Sequence, residues 1–287
     1  MTEATQLAVW GDPIAHSRSP QLHAAAYAVL HLPWNYHRRR VSEDEFGAEL
    51  AGLDARWRGL SLTMPLKAVA RAAAVRVDRR AELTGAVNTL RFDPADGADR
   101  AGRSVPVGFN TDVGGMVAAL AEVGVTGLER ARIIGAGATA SSALVALTEI
   151  GATRVEVAAR RPEAAAALVE LGTRIGVRVL PVPLDVSAPS PVPVTISTLP
   201  GGVSLKAGVS ESLARAGGIL MDVVYGQWPT ALAQTWESTG AVAVSGLGML
   251  LHQALLQVRI FVTGSAADPV DRETEVLAAM REQLMKD

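Results

Sequence analysis

The sequence predicts an α/β protein built on parallel strands, and three observations carry that prediction. An apolar strand, Arg130–Ile134, runs straight into Gly135-Ala136-Gly137-Ala138-Thr139-Ala140, and a helix-prone segment over residues 141–150 follows at once. Strand and helix patterns then alternate through Arg154–Ala159, residues 163–175, residues 177–180, Val194–Ser197 and residues 219–224, which is the rhythm of βαβ units. The 287 residues are 49% hydrophobic and 20% charged, enough apolar material to fill one large domain or two smaller ones.

The glycine turn is G-x-G-x-x-A between a strand and a helix, the arrangement that lays a pyrophosphate on a helix N-terminus in Rossmann-type domains. Gly135 makes the tight turn, Gly137 has no Cβ to keep phosphate away, and Ala140 is small enough for helix and strand to pack closely. The next strand selects the dinucleotide. NAD needs a carboxylate roughly 20 residues past the glycines for its ribose 2′-hydroxyl, whereas NADP needs cations for its 2′-phosphate. Arg154–Ala159 ends in Arg160-Arg161-Pro162 with no acid where one is wanted, and Glu156 points from mid-strand, so NADP is the expected cofactor. Guanidinium groups suit a phosphate because they offer several donors in a planar fork.

Bulk properties exclude several classes. A formal net charge of -2 gives no electrostatic reason to expect nucleic acid or an acidic membrane as partner. The absence of cysteine excludes disulfides, thiolate metal sites and cysteine nucleophiles. His16 has no partner of metal-ligand spacing, so no metal is expected and a packed or hydrogen-bonded histidine is the reading. The start, MTEATQ, is acidic and polar, and no apolar run approaches membrane-spanning length, so a soluble cytoplasmic protein is expected. Of the 27 basic residues only Lys67, Lys206 and Lys286 are lysines. Where arginine is the default cation, a lysine marks a place where a proton must come and go.

Ahead of the glycine turn the pattern is less regular. Residues 7–10 read as a strand broken at Gly11-Asp12-Pro13, and an amphipathic helix follows through His23, Tyr27 and Leu30. Ser19 before Pro20 has the form of an N-cap with proline at the first helical position. Ser17 and Ser19, two hydroxyls at a positive helix end, also make a receptor for a carboxylate. Residues 34–41 read as a strand, 43–53 as a helix, and 59–67 as a strand that stops at Pro65. Lys67 begins the following helix, just beyond a strand's carboxyl end, where open α/β sheets hold ligands. Residues 83–90 read as a strand with embedded polar groups, 93–104 as a hairpin or surface loop, and 107–112 as the lead into a helix over 115–123. Taken alone, Asp112 reads as an N-cap. Residues 181–193, dense in Pro and Ser, read as a loop, and from Gly246 the pattern becomes helical, ending in a helix over 271–284.

Together these fragments resemble the shikimate dehydrogenase family from Gly11 to Gly264. GDPIAHSRSPQLH matches the family pattern GxPIxHSxSPxxH, and Ser61-Leu62-Thr63-Met64-Pro65-Leu66-Lys67 matches NVTxPxK. GAVNT stands at residues 85–89, NTDxxG at 110–115, and GxxMLxxQA is matched by GLGMLLHQA at 246–254. The resemblance implies reversible reduction of 3-dehydroshikimate to shikimate with NADPH, an oxidoreductase step of aromatic amino acid biosynthesis. It implies an N-terminal α/β substrate domain over residues 1–112, completed by helices over 246–287, and a Rossmann-type doubly wound NADP-binding domain over 113–245, with the active site in the cleft between them. Lys67 and Asp112 would be the catalytic pair. Ser17 and Ser19, helped by Tyr225, would hold the substrate carboxylate, while Thr63, Asn88 and Gln253 join the pair around the ring hydroxyls and the reacting carbonyl. Gly135, Gly137, Ala138 and Thr139 would cradle the pyrophosphate, Arg160 and Arg161 the 2′-phosphate, and Gly246 and Met249 would lie against the nicotinamide. A monomer or homodimer is expected.

The chain departs from the family pattern in places. The usual Asn of NVT is Ser61, which shortens one hydrogen-bonding arm towards the substrate, and the usual Asn-Arg-Thr at the adenosine phosphate is Ala159-Arg160-Arg161. Ser197-Thr198-Leu199 replaces Asn-Ala-Thr, and the tyrosine loop, residues 225–230, places its proline differently. Two other readings stand beside the first: a sister dehydrogenase of quinate or an aminoshikimate, and a non-catalytic NADP- or shikimate-binding regulator.

Overall fold

The structure, a computed structural model, describes residues 4–93, 105–185 and 189–286. It divides into two compact units, Met1–Thr111 with Leu251–Asp287, and Asp112–Leu250.

The first unit holds strands β1 (Gln6–Gly11), β2 (Asn35–Arg40), β3 (Trp57–Leu62), β4 (Arg76–Val77), β5 (Thr89–Asp93) and β6 (Val105–Phe109) in one sheet of order β2-β1-β3-β5-β6-β4. β2 and β3 run parallel to β1, whereas β5 is antiparallel to both β3 and β6. Between them come α1 (Ser19–Val29), α2 (Phe46–Ala51), α3 (Lys67–Ala73) and α4 (Arg79–Thr84). One face of the sheet buries Trp10, whose ring meets Phe46 and Trp57 edge-on at 6.2 and 6.3 Å, among Leu60, Leu62, Leu66 and Leu90. Truncating such a fully buried ring costs about 3–5 kcal/mol.

In the second unit, α5 (Thr111–Glu122, its first residue in the first unit) precedes β7 (Arg130–Ile134), α6 (Ala138–Glu149), β8 (Arg154–Ala159), α7 (Ala166–Ile175) and β9 (Arg178–Pro183). Then follow β10 (Val194–Ser197), α8 (Ala207–Arg215), β11 (Ile219–Asp222), α9 (Ala231–Ser238) and β12 (Ala243–Ser245). The order is β12-β11-β10-β7-β8-β9, and every pairing is parallel. The chain winds outward from β7 to β9, then restarts beside β7 at β10, which makes β7/β10 the switch point where doubly wound sheets bind nucleotides. The four inner strands, β7, β8, β10 and β11, are buried on both faces, as covered parallel strands must be. The last two helices are α10 (Leu247–Thr263) and α11 (Glu273–Leu284).

Several expectations change. Residues 83–84 end α4 instead of opening a strand: Asp78 caps that helix by accepting from Ala81 N–H at 2.7 Å, and Gly85 closes it at φ +68°. β9 runs on through Pro181 and Pro183, which an edge strand tolerates. The expected helix over 43–53 shortens to α2, and α6 begins three residues early at Ala138. The helix expected at 115 begins at Thr111, so Asp112 sits inside its first turn and is not an N-cap. His16 is exposed instead of packed. All but the first residue of the expected loop over 93–104 lies outside the described residues.

Candidate active site

Topology gathers the polar residues of the first unit at one end of its sheet. Ser17 and Ser19 follow the carboxyl end of β1, and Thr63 and Lys67 follow that of β3. Asn88 stands just before β5, and because β5 is antiparallel its start lies at that same end; Thr111, after β6, joins them. Backbone bonds fix the arrangement: Thr63 N–H donates to Trp10 O at 3.0 Å, Leu62 N–H to Asn88 O at 2.7 Å, and Val87 N–H to Lys67 O at 3.0 Å.

Ser19 is buried in the first turn of α1, and its N–H donates to Ser17 Oγ at 3.4 Å. The residue before the helix is Arg18, and no side chain caps it, so the Ser19 hydroxyl is not spent as an N-cap. Lys67 is half-buried as the first residue of α3. Asn88 is buried, and its Nδ2 donates to Thr111 Oγ1 at 2.9 Å while its Oδ1 accepts from Thr111 N–H at 2.9 Å. Gln253 Oε1 lies 3.3 Å from Thr111 Oγ1.

Three residues missed in the sequence support this edge from below. Gln257 bonds Ser61, His23, Thr89 and the Asn88 backbone. His23 is stacked on Tyr36 with ring centroids 4.0 Å apart, and burial pushes its pKa down to about 3. Burial raises the Tyr36 phenol, an effect that the nearby hydroxyls of Ser61 and Ser19 oppose. Ser61 is thus turned into the protein, its Oγ donating to Gln257 Oε1 at 2.8 Å. The last histidine of HSRSPQLH is a visible signal; a glutamine four residues after Gln253 is not.

In the second unit the glycine turn lies at the carboxyl end of β7. Gly135 adopts φ +106°, and a Cβ there would stand 2.5 Å from Thr198 Oγ1, so only glycine lets the turn pass β10's end. A Cβ on Gly137 would meet nothing within 4 Å, which leaves open space in front of the helix. No side chain caps α6 and its first turn holds no acid, so its leading N–H groups suit a phosphate. Arg160 and Arg161 are exposed just past β8. Glu156 is committed inside the sheet, where its Oε2 accepts from Arg132 Nη2 at 2.9 Å and Nε at 3.2 Å. These residues fit a dinucleotide carrying a 2′-phosphate.

Asp112 is 5% exposed in the first turn of α5, Tyr225 is half-buried beyond β11, and Gly246 and Met249 are buried at and after the start of α10. A cavity of about 210 Å³ opens at the ends of β10 and β11, lined by Ser197, Leu199, Gly201, Asp222 and Thr230 among others. Asp222 lies buried in its wall, accepting from Thr230 Oγ1 at 2.8 Å and Val224 N–H at 3.3 Å. Burial raises its pKa, and those hydrogen bonds oppose the shift.

Comparison with known proteins follows the same lines. Residues 9–90 match the family model described as the shikimate dehydrogenase substrate binding domain. The chain is 38% identical over 265 residues to the shikimate dehydrogenase (NADP(+)) of Methylobacterium radiotolerans, covering 89% of this chain and 90% of that one. It belongs to the shikimate dehydrogenase family. Among solved members of that family, the Mycobacterium tuberculosis shikimate dehydrogenase superposes with a TM-score of 0.82 at 38% identity, covering 97% of this chain and 99% of that one. The Thermus thermophilus shikimate 5-dehydrogenase in complex with NADP(H) and shikimate gives 0.76 at 28% identity, covering 97% and 99%. This chain carries a mixed sheet in one unit and a doubly wound parallel sheet in the other. Among the described residues no cluster of acidic or histidine side chains could hold a metal ion, and no helix is long and apolar enough to cross a membrane.

Proposed function

We propose that this chain reversibly reduces 3-dehydroshikimate to shikimate with NADPH, acting in the cytoplasm as a monomer or homodimer. One observation carries the reading: nine-tenths of the chain is 38% identical to an NADP(+)-dependent shikimate dehydrogenase. In its support, Ser17, Ser19, Thr63, Lys67 and Gly135 follow the carboxyl ends of strands, where open α/β sheets hold ligands.

The hydroxyls of Ser17 and Ser19, with Tyr225, hold the substrate carboxylate. Thr63, Asn88 and Gln253 bond the ring hydroxyls, so that a polar ring is fixed in one orientation. The pyrophosphate rests on Gly135, Gly137, Ala138 and Thr139, the 2′-phosphate on Arg160 and Arg161, and the nicotinamide against Gly246 and Met249. When bound, NADPH supplies the hydride. As negative charge grows on the ketone oxygen, the Lys67 ammonium bonds that oxygen and surrenders its proton. Asp112 orients the ammonium. In the reverse direction Lys67 takes the proton from the alcohol.

The test is direct. Purified protein with shikimate and NADP+ should build the reduced-nicotinamide absorbance, and Lys67→Ala should lower kcat by about a thousandfold with KM little changed. Unchanged kcat would remove Lys67 from the mechanism. Faster turnover of quinate, or no absorbance change with any of these acids, would replace the substrate or the activity.

A further inference from the structure

We infer that Gln257 is a positioning residue that sets how Asn88 and Gln253 are presented, an inference that rests on the substrate-binding role proposed for those two amides. Gln257 is 2% exposed on α10, and its amide uses every hydrogen-bonding position it has. Its Nε2 donates to Asn88 O at 3.2 Å and Thr89 Oγ1 at 3.0 Å. Its Oε1 accepts from Ser61 Oγ at 2.8 Å and from His23 Nε2 at 3.2 Å.

The direction of each Gln257 bond is forced. A carbonyl oxygen only accepts, so the Gln257 atom facing Asn88 O must be the nitrogen. The oxygen then faces His23, which donates from Nε2 and accepts at Nδ1 from the Tyr27 hydroxyl, 3.0 Å away. Burial keeps this imidazole neutral, which leaves Nδ1 able to accept.

On the other side, Thr89 Oγ1 receives the Gln257 proton and passes its own to Asn88 Oδ1 at 2.9 Å. That oxygen also accepts from Thr111 N–H at 2.9 Å, which fixes the Asn88 amide with its oxygen towards Thr89 and Thr111. Thr111 Oγ1 accepts from Asn88 Nδ2, and its own hydroxyl faces both Asn88 Oδ1 at 3.2 Å and Gln253 Oε1 at 3.3 Å. An ordered chain of protons therefore runs from Tyr27 through His23, Gln257, Thr89 and Asn88 to Thr111, and the Thr111 hydroxyl is the contact that passes it to Gln253. With Gln257 gone, Thr89 loses the donor that directs its proton to Asn88 Oδ1, and the Asn88 backbone carbonyl loses a bond, so the segment that presents Asn88 and, through Thr111, Gln253 loosens.

The experiment is a double-mutant cycle on the whole enzyme: Gln257→Leu, Asn88→Ala and the pair, with KM and kcat measured for shikimate and NADP+. Gln257→Leu should raise the shikimate KM about tenfold while the NADP+ KM moves by less than about twofold, the scale of a misdirected hydrogen bond. In the Asn88→Ala background the same substitution should add less than about twofold, because the chain it feeds is already cut. An equal further rise in both backgrounds, or a parallel rise in both KM values, would overturn the positioning role. Asn88→Ala with an unchanged shikimate KM would overturn instead the substrate role of Asn88. Where Gln257→Leu does not fold, Gln257→Glu serves: it keeps the acceptors for Ser61 and His23, loses the donations to Asn88 O and Thr89, and should give the same pattern.

Discussion

Acid should destabilise this protein through His23 before it protonates most carboxylates. The imidazole is fully buried, stacked on Tyr36 and hydrogen-bonded to Tyr27 and Gln257, and burial lowers its pKa from 6.5 to about 3. As pH falls below 6.5, the unfolded chain binds a proton that the folded chain refuses, so stability present above that value is lost on the way down. Each pH unit in that window is worth about 1.4 kcal/mol, which gives a loss of about 2 kcal/mol at pH 5 relative to pH 8. Urea unfolding followed by tryptophan fluorescence at pH 8, 7, 6 and 5 measures it, with His23→Gln as the reference that removes this group alone. The wild-type curve should fall more steeply than the variant's by that amount. Parallel curves would refute the argument, because a histidine that accepts its proton in place contributes no such slope.

Three further outcomes follow from the second unit. Gly137→Val should fold with an unchanged Tm, since its Cβ meets nothing, yet raise the NADP+ KM about tenfold or more by occupying the phosphate's space, as steady-state kinetics would read. Arg160→Gln and Arg161→Gln should each lower the preference for NADP+ over NAD+ by about tenfold, measured as the ratio of kcat/KM values. Asp222→Asn should raise Tm at neutral pH, because burial disfavours the charged carboxylate; the gain should shrink as pH falls into the ordinary carboxylate range, where the wild-type side chain is protonated in both states.

What the sequence made legible was what local chemistry demands of specific residues. Gly135 is readable because a turn at positive φ excludes larger side chains, and Gly137 because a phosphate on the helix end needs the space that a side chain would take. The parallel winding from β7 to β11 is readable because buried strands are continuous apolar runs. Residues 83–84 misled because Leu83-Thr84 before Gly85 alternates like a strand, although Asp78 and Gly85 mark both helix ends. Asp112 misled in the other direction: the sequence shows an acid near a helix start, and only the backbone shows whether that acid precedes the helix or lies within it. Gln257 was invisible because its partners, Ser61, His23 and Asn88, come from three distant segments. A satisfied buried amide leaves no spacing to detect.

The two prolines of β9 decide what the outer margin of the parallel sheet can do. Arg178 and Leu184 N–H groups point inward, to Thr153 O and Ala159 O, so by alternation positions 179, 181 and 183 face outward. Pro181 and Pro183 fill two of those three places and carry no hydrogen to offer. A strand from another molecule laid along this margin would find carbonyls with almost nothing to answer its own, which guards the sheet against fibre-like growth at this end without any bulky cover.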